Sequence, residues 1–371
     1  MQRTQQTSFD PWLLFSVTAI LALGFIMVAS ASAPIAERLH VGMLHIAWHQ
    51  GVFILVGISA AITVTFIPIN IIQKYSDLFL ACSAILLAVL LVPGIARPIN
   101  GSIRWFFIGP ISVQPSELAK LALVSYIASY MVRRSYQLQN TFQGFLIPMS
   151  VLGFIAFLLM LEPDFGAVVV IAATILGMLF LGGVRVKNFL ILVPFLLCIL
   201  GFLAVSSSYR VQRFTAFRDP WADQFNSGYQ LVQSLIAFGR GSWLGSGLGG
   251  SIQKLLYLPE SHSDFIFAVL AEELGLIGVM GVLILYGILV FRAMEIGRKA
   301  KNLGKEYGAN LAYGIGLLII LQTVINISVN VGLLPTKGLT LPLMSAGGSS
   351  MVAACIAVGV LFRIDYENKV A

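Results

Sequence analysis

The chain has 371 residues, of which 58% are hydrophobic and 11% charged, and its formal net charge is +7. A soluble domain carries about 25% charged residues. With a mean hydropathy of +0.91, this composition excludes a water-soluble globule and requires a bilayer as solvent. The cations need no nucleic-acid partner, because most of them fall in segments that orient membrane spans.

Apolar runs of roughly 17–25 residues mark membrane helices. Ten are found, at roughly 11–33, 46–68, 77–95, 115–132, 143–161, 165–182, 187–205, 265–291, 309–332 and 341–362. The first is too long for a secretory signal, and no small-residue cleavage site precedes a soluble domain. With a cytoplasmic N-terminus, the inside segments hold thirteen Lys and Arg, from Arg3 to Lys369, and the short outside loops hold four: Arg38, Arg97, Arg104 and Lys337. That bias puts both termini in the cytoplasm. The predicted fold is an all-α polytopic membrane protein, one domain over residues 1–371. Cys82, Cys198 and Cys355 stand alone in apolar stretches and read as small core residues, with no disulfide or metal pattern.

Between spans seven and eight lies a large outer loop, 206–264. Its aromatic residues, among them Tyr209, Phe214, Trp221 and Trp243, argue against disorder. GYQLVQSLIAF (228–238) places Leu231, Leu235 and Phe238 on one helical face. This suits a helix on the membrane surface or one packed on the loop's own core. GSGLGG (245–250) matches the spacing of dinucleotide-binding loops, but no strand precedes it. It reads as a close-packed turn, with a backbone nest for a phosphate as the alternative.

Charges within spans are expensive, so they point to function or to paired structure. In QPSELAK (114–120), Pro115 opens span four, and Glu117 and Lys120 share a face at i, i+3. They form a structural ion pair, or they hold a cation ready for an anionic substrate. In LEPDFG (161–166), Glu162 reads as solvated and Asp164 as a helix N-cap. Arg210 and Arg213 lie near the outer face, either as solvated loop charges or as phosphate-binding forks. In PESHSDFIFAVLAEELG (259–275), Asp264 sits at the mouth of span eight, where it either caps the helix or acts as a general base near an apolar wall. His262 is an alternative base or an orienting partner. Glu272 and Glu273 lie about 12 Å deeper, where at least one must pair inside the bundle. His40, His45 and His49 show no metal spacing. GLTLPLMSAGGSS (338–350) suggests close backbone packing or a patch of exposed N–H donors. Together these residues line an outward-facing polar cavity suited to an enzyme acting on a lipid-linked phosphate, or to its transporter.

The segments NGSIRW–QPSELAK, GYQLVQSLIAFGRG, LPESHSDFIFAVLAEELG and GLTLPLMSAGGSS resemble the SEDS family (shape, elongation, division and sporulation) of bacterial cell-wall proteins. The likeness covers almost the whole chain. Its NGS-R-W and GLTLP forms are nearer the family's division branch than its elongation branch. The family usually has tyrosine where Ala346 stands and often threonine where Ser263 stands. The resemblance implies a peptidoglycan glycosyltransferase that polymerises lipid II, with Asp264 as its catalytic base. It makes Lys120, Arg210 and Arg213 candidates for stabilising an undecaprenyl-pyrophosphate leaving group, with Arg104 and Ser116 in the substrate-binding set. Glu117, Asp164, His262 and Glu272 would support them. A divalent cation, magnesium or manganese, could share the charge neutralisation, though no ligand cluster announces one. The implied partner is a class B penicillin-binding transpeptidase with other division proteins, and the implied location is the inner membrane at the septum. A lipid II flippase and a non-catalytic division scaffold are the alternatives.

Overall fold

The computed structural model describes residues 9–38, 40, 42, 45–94, 104–108, 111–190, 194, 201, 205 and 215–370. Its helices are α1 (Pro11–Arg38), α2 (His45–Thr65), α3 (Ile69–Lys74), α4 (Ser76–Leu90), α5 (Pro115–Arg133), α6 (Ser135–Asn140), α7 (Phe142–Leu161), α8 (Phe165–Leu181), α9 (Tyr229–Gly241), α10 (Ile266–Asn302), α11 (Glu306–Asn330) and α12 (Gly348–Val370). Six of these, α1, α2, α7, α10, α11 and α12, are long and apolar enough to cross a membrane, and α4 and α8 are shorter apolar helices. The expected seventh span, 187–205, lies largely outside the described residues. Among the described residues, one antiparallel hairpin interrupts the helical pattern: β1 (Phe106–Ile108) pairs with β2 (Ile111–Val113), Phe107 opposite Ser112.

Helix starts follow local chemistry. Asp10 Oδ1 accepts from the backbone N–H of Leu13 at 3.0 Å, with Pro11 opening α1 where its missing N–H costs nothing. Thr141 Oγ1 accepts from Gly144 N at 3.0 Å at the start of α7. Pro115 occupies the first turn of α5.

α11 is central, packed against α5, α8, α10 and α12, while α12 lies along α2. Small residues bring that last pair together: a Cβ on Gly359 would fall 2.6 Å from the carbonyl oxygen of Ala61, and one on Gly57 2.8 Å from Cys355 Sγ. Cys355 is buried as expected, but Cys82 is exposed on α4 and is not a core residue.

Several span boundaries differ from the sequence reading, and two of the differences have a local cause. α12 starts at Gly348 rather than 341, because Ser345 Oγ accepts from Leu341 N at 2.8 Å and Leu343 turns the chain at φ +63°. α10 runs to Asn302 but is broken at Gly275, whose φ of +64° and ψ of −165° are not helical. The first piece, 266–274, carries the residues of greatest interest.

Candidate active site

Asp264 is half-buried, two residues before the first residue of α10. The N-cap position of α10 is held by Phe265, whose side chain makes no capping hydrogen bond. Three consecutive carbonyls instead fix the approach to the helix. His262 O accepts from Ala346 N at 3.0 Å, and Ser263 O from Ser345 Oγ at 2.7 Å. Asp264 O accepts from the Nδ2 atoms of Asn326 and Asn330, at 3.0 and 3.1 Å. Asn330 Oδ1 also takes the N–H of Ala268, one turn into α10, at 3.2 Å. The carboxylate lies against the backbone of 338: a Cβ on Gly338 would stand 3.1 Å from Asp264 Oδ2. Glycine there keeps the space beside the acid open.

The segment 338–342 links this acid to a buried cation. Thr340 O accepts from Gln322 Nε2 at 3.0 Å, and Gln322 Oε1 accepts from Lys120 Nζ at 2.8 Å. Lys120 also pairs with Glu117 Oε2 at 2.8 Å and is only 2% exposed. The expected i, i+3 pair therefore forms, and two of the three ammonium donors are engaged. A cavity of about 20 Å³, lined by Glu117, Lys120, Gln322 and Ser350 among others, adjoins the pair and has room for one water.

The turn between α7 and α8 packs beside the same segment. Asp164 caps α8 as expected, its Oδ1 accepting from Ala167 N at 3.2 Å, while its Oδ2 accepts from Ser116 Oγ at 3.3 Å. Arg104 donates to the carbonyls of Glu162, at 3.3 Å, and of Pro163. Its guanidinium thus ties the hairpin to this turn. Lys337 Nζ lies 3.7 Å from the ring centroid of Phe165, and a Cβ on Gly166 would meet the Leu339 side chain at 3.1 Å. The first turn of α8, the 337–340 segment and Asp264 therefore share one wall.

Glu162 is not solvated. It is 0% exposed, and neither carboxylate oxygen has a hydrogen-bond partner. Burial pushes its pKa up to about 8, with the Asp164 charge adding to the rise and Arg104 opposing it. The turn's own backbone is satisfied through its carbonyls, so the carboxyl side chain carries the desolvation.

Glu272 and Glu273 are both fully buried and both paired. Glu272 Oε1 accepts from Arg240 at 3.1 Å and from Ile252 N at 2.9 Å; Oε2 accepts from Gln253 N at 3.2 Å and from Ser251 Oγ. Glu273 Oε1 accepts from Lys254 Nζ and from Ser30 Oγ, each at 2.7 Å. These acids bind the 240–254 segment to the helical piece that follows Asp264. α9 packs on the same piece and on α11, with Phe238 and Phe267 ring centroids 6.0 Å apart and Ser234 Oγ donating to Asn330 O at 2.7 Å. It therefore joins the helix bundle rather than forming a separate loop core. GSGLGG is a close-packed turn: a Cβ on Gly245 would fall 2.1 Å from Glu273 O.

Burial pushes the His262 imidazole below its usual pKa, against the pull of Glu260, and Nδ1 has no hydrogen-bond partner. Arg210 and Arg213 lie outside the described residues. Among the described residues, no group of three His, Cys, Asp or Glu side chains is gathered as a metal site. Cys82 and Cys355 are free thiols.

Residues 11–370 match the model of the FtsW/RodA/SpoVE family, described as cell cycle proteins. The chain is 52% identical over 360 residues to a probable peptidoglycan glycosyltransferase FtsW of Nitrosococcus halophilus, covering 97% of this chain and 93% of the relative. It is 49% identical to the protein of that name in Legionella pneumophila, covering 97% and 92%. A chain from a peptidoglycan synthase complex, solved to describe the coordination of polymerization and crosslinking, superposes with a TM-score of 0.79 at 29% identity, covering 97% and 98%. The rod shape determining protein RodA of Thermus thermophilus superposes with a TM-score of 0.70 at 27% identity, over the same shares. With a family match over nearly every residue and relatives near half identity along their own length, the chain belongs to the FtsW/RodA/SpoVE family of cell cycle proteins.

Proposed function

We propose that this chain is a division-type peptidoglycan glycosyltransferase that polymerises lipid II at the outer face of the bacterial cytoplasmic membrane, at the septum. It crosses the membrane ten times with both termini cytoplasmic. The observation that carries the reading is the half-buried carboxylate of Asp264, held at the mouth of a broken helix by three backbone anchors. Lys337 lies over Phe165 at the start of the segment beside the acid, and the Glu117–Lys120 pair is tied to that segment through Gln322.

In the reaction, Asp264 takes the proton from the 4-hydroxyl of the acceptor sugar. The resulting oxygen attacks the anomeric carbon of the growing glycan. The bond from that carbon to the pyrophosphate breaks, and undecaprenyl pyrophosphate leaves with the electron pair. Asp264 returns its proton to solvent. A pyrophosphate leaving group needs charge neutralisation more than protonation, which is a task for preorganised cations. Arg210, Arg213 and Lys120 are assigned to it, with Arg104 and Ser116 shaping the wall. The two oxygens of Asp164 and the backbone anchors keep that wall rigid. No described residues are assigned to a divalent cation. A class B penicillin-binding transpeptidase crosslinks the strands made here.

Purified protein with its transpeptidase partner, supplied with labelled lipid II, tests the reading. Glycan polymer is the expected product. Lipid II translocation across liposomes without polymer would replace the enzyme by a flippase. Neither polymer nor translocation would leave a scaffold.

A further inference from the structure

The break at Gly275 leaves four backbone groups of α10 without their helical partners, and the outer loop takes them. Leu276 N donates to Ser242 O at 2.9 Å and Ile277 N to Trp243 O at 3.3 Å. Above the break, Glu272 O accepts from Ser246 N at 2.9 Å and Glu273 O from Gly247 N at 3.0 Å. The loop therefore lies beside α10 at the level of Gly275, eleven residues past Asp264. At 1.5 Å per residue that is about 16 Å along the axis, half of a hydrocarbon core of about 30 Å.

Three features fit this segment for hydrocarbon. First, its charge is cancelled. Residues 241–257 contain one charged residue, Lys254, which is buried against Glu273, and the preceding Arg240 pairs with Glu272. Second, much of its backbone is paired within the protein, which irregular chain at membrane depth needs. Besides the bonds to α10, Gly245 N donates to Gly241 O, Gly250 N to Gly247 O, and Leu255 N to Ile252 O. Ile252 N and Gln253 N donate to the Glu272 carboxylate, and Lys254 N to Ser251 Oγ. Third, what it exposes is apolar: Trp243 is 69% exposed, Leu244 77% and Leu248 63%, with Ile252 and Leu255 also outward. Those side chains continue the outward face of the lower half of α10, where Ile277 is 62% exposed and Met280 and Ile284 follow. A membrane-crossing helix presents such a face to lipid.

We propose that residues 243–256 are a re-entrant segment dipping into the outer half of the bilayer, with Trp243, Leu244 and Leu248 against lipid acyl chains. On this account Glu273 neutralises the segment's one cation, Lys254, and Glu272 neutralises Arg240 just before it. The proposal is independent of the enzymatic reading.

The test is collision-based spin-label spectroscopy on the full chain in phospholipid vesicles. Leu244→Cys and Leu248→Cys are made separately in a background where Cys82, Cys198 and Cys355 are alanine. Phe225→Cys serves as the outer-loop control and Ile284→Cys as the lipid-facing control. The expected result is an oxygen-to-nickel-chelate accessibility ratio at 244 and 248 equal to that at 284 and well above that at 225. A ratio equal to that at 225 would put the segment in water and overturn the proposal. Loss of access to both colliders, or loss of oxygen access on adding the transpeptidase partner, would assign the face to protein and also overturn it. Native Trp243 gives a second measurement free of labels. Brominated acyl chains should quench the emission lost in Trp243→Phe, and absence of quenching would count against insertion.

Discussion

Gln322 and Asn326, four residues apart on α11, hold the two halves of the site in register: Gln322 Oε1 accepts from Lys120, and Asn326 Nδ2 donates to the carbonyl of Asp264. The separation is one turn, about 6 Å of rise. The same two amides bind the carbonyls of Thr340 and Leu339, so α11 acts as the frame on which the acid, the cation and the 338–342 segment are mounted.

Removing part of that frame should misplace the acid without removing it. Asn326→Ala leaves the buried carbonyl of Leu339 without this donor, at a stability cost of about 1–3 kcal/mol. The polymerisation rate at saturating lipid II should fall while the KM changes little. Steady-state kinetics beside a thermal unfolding curve checks this; a lower melting temperature with an unchanged kcat would disprove the positioning role.

The Glu117–Lys120 pair separates structure from chemistry. Lys120→Met alone leaves a buried carboxylate uncompensated, which costs about 3–5 kcal/mol. The double variant Glu117→Gln/Lys120→Met should recover most of the stability and none of the polymerisation. Recovery of both would make the pair purely structural.

Glu162 predicts a pH dependence. Its pKa rises from 4.5 to about 8 in the folded protein, so the folded state holds its proton more tightly than the unfolded state. The stabilisation is fully present below about 4.5 and is lost as pH rises through about 8. Glu162→Gln should flatten stability across that window and raise it at the alkaline end. Parallel pH slopes for wild type and variant would refute the assignment.

Gly275 should tolerate no side chain. A Cβ there would fall 2.4 Å from Gly245 N, and the backbone is at φ +64°, ψ −165°, a region open essentially to glycine alone. Gly275→Ala should lower the unfolding temperature more than Gly281→Ala, where a Cβ meets nothing. Equal melting temperatures would show that the break can be relaxed without cost.

Much of this was legible in the residues. The Glu117–Lys120 spacing, the Asp164 cap and the need for at least one of Glu272 and Glu273 to pair all follow from helical periodicity and the cost of buried charge. The stripe Gln322, Asn326, Asn330 was equally visible, at i, i+4, i+8 on one face of an apolar span, yet neutral amides draw less notice than charges. The partners of the two glutamates were not legible, because Arg240, Ser251 and Lys254 come from a segment that packs on α10 at the break at Gly275, and a single glycine in an apolar run does not announce one. Glu162 misled for a related reason: a carboxylate in a short polar turn reads as solvated until the packing around it is known.

Polymerisation of lipid II by Asp264→Asn, with its partner bound, tests the central claim most directly. The substitution keeps the shape of the side chain and leaves the anchored carbonyl untouched, so unfolding temperature and partner binding should match wild type. The account predicts a loss of polymer of at least about a hundredfold, the scale of a missing general base. Polymer at the wild-type rate would remove Asp264 from the chemistry.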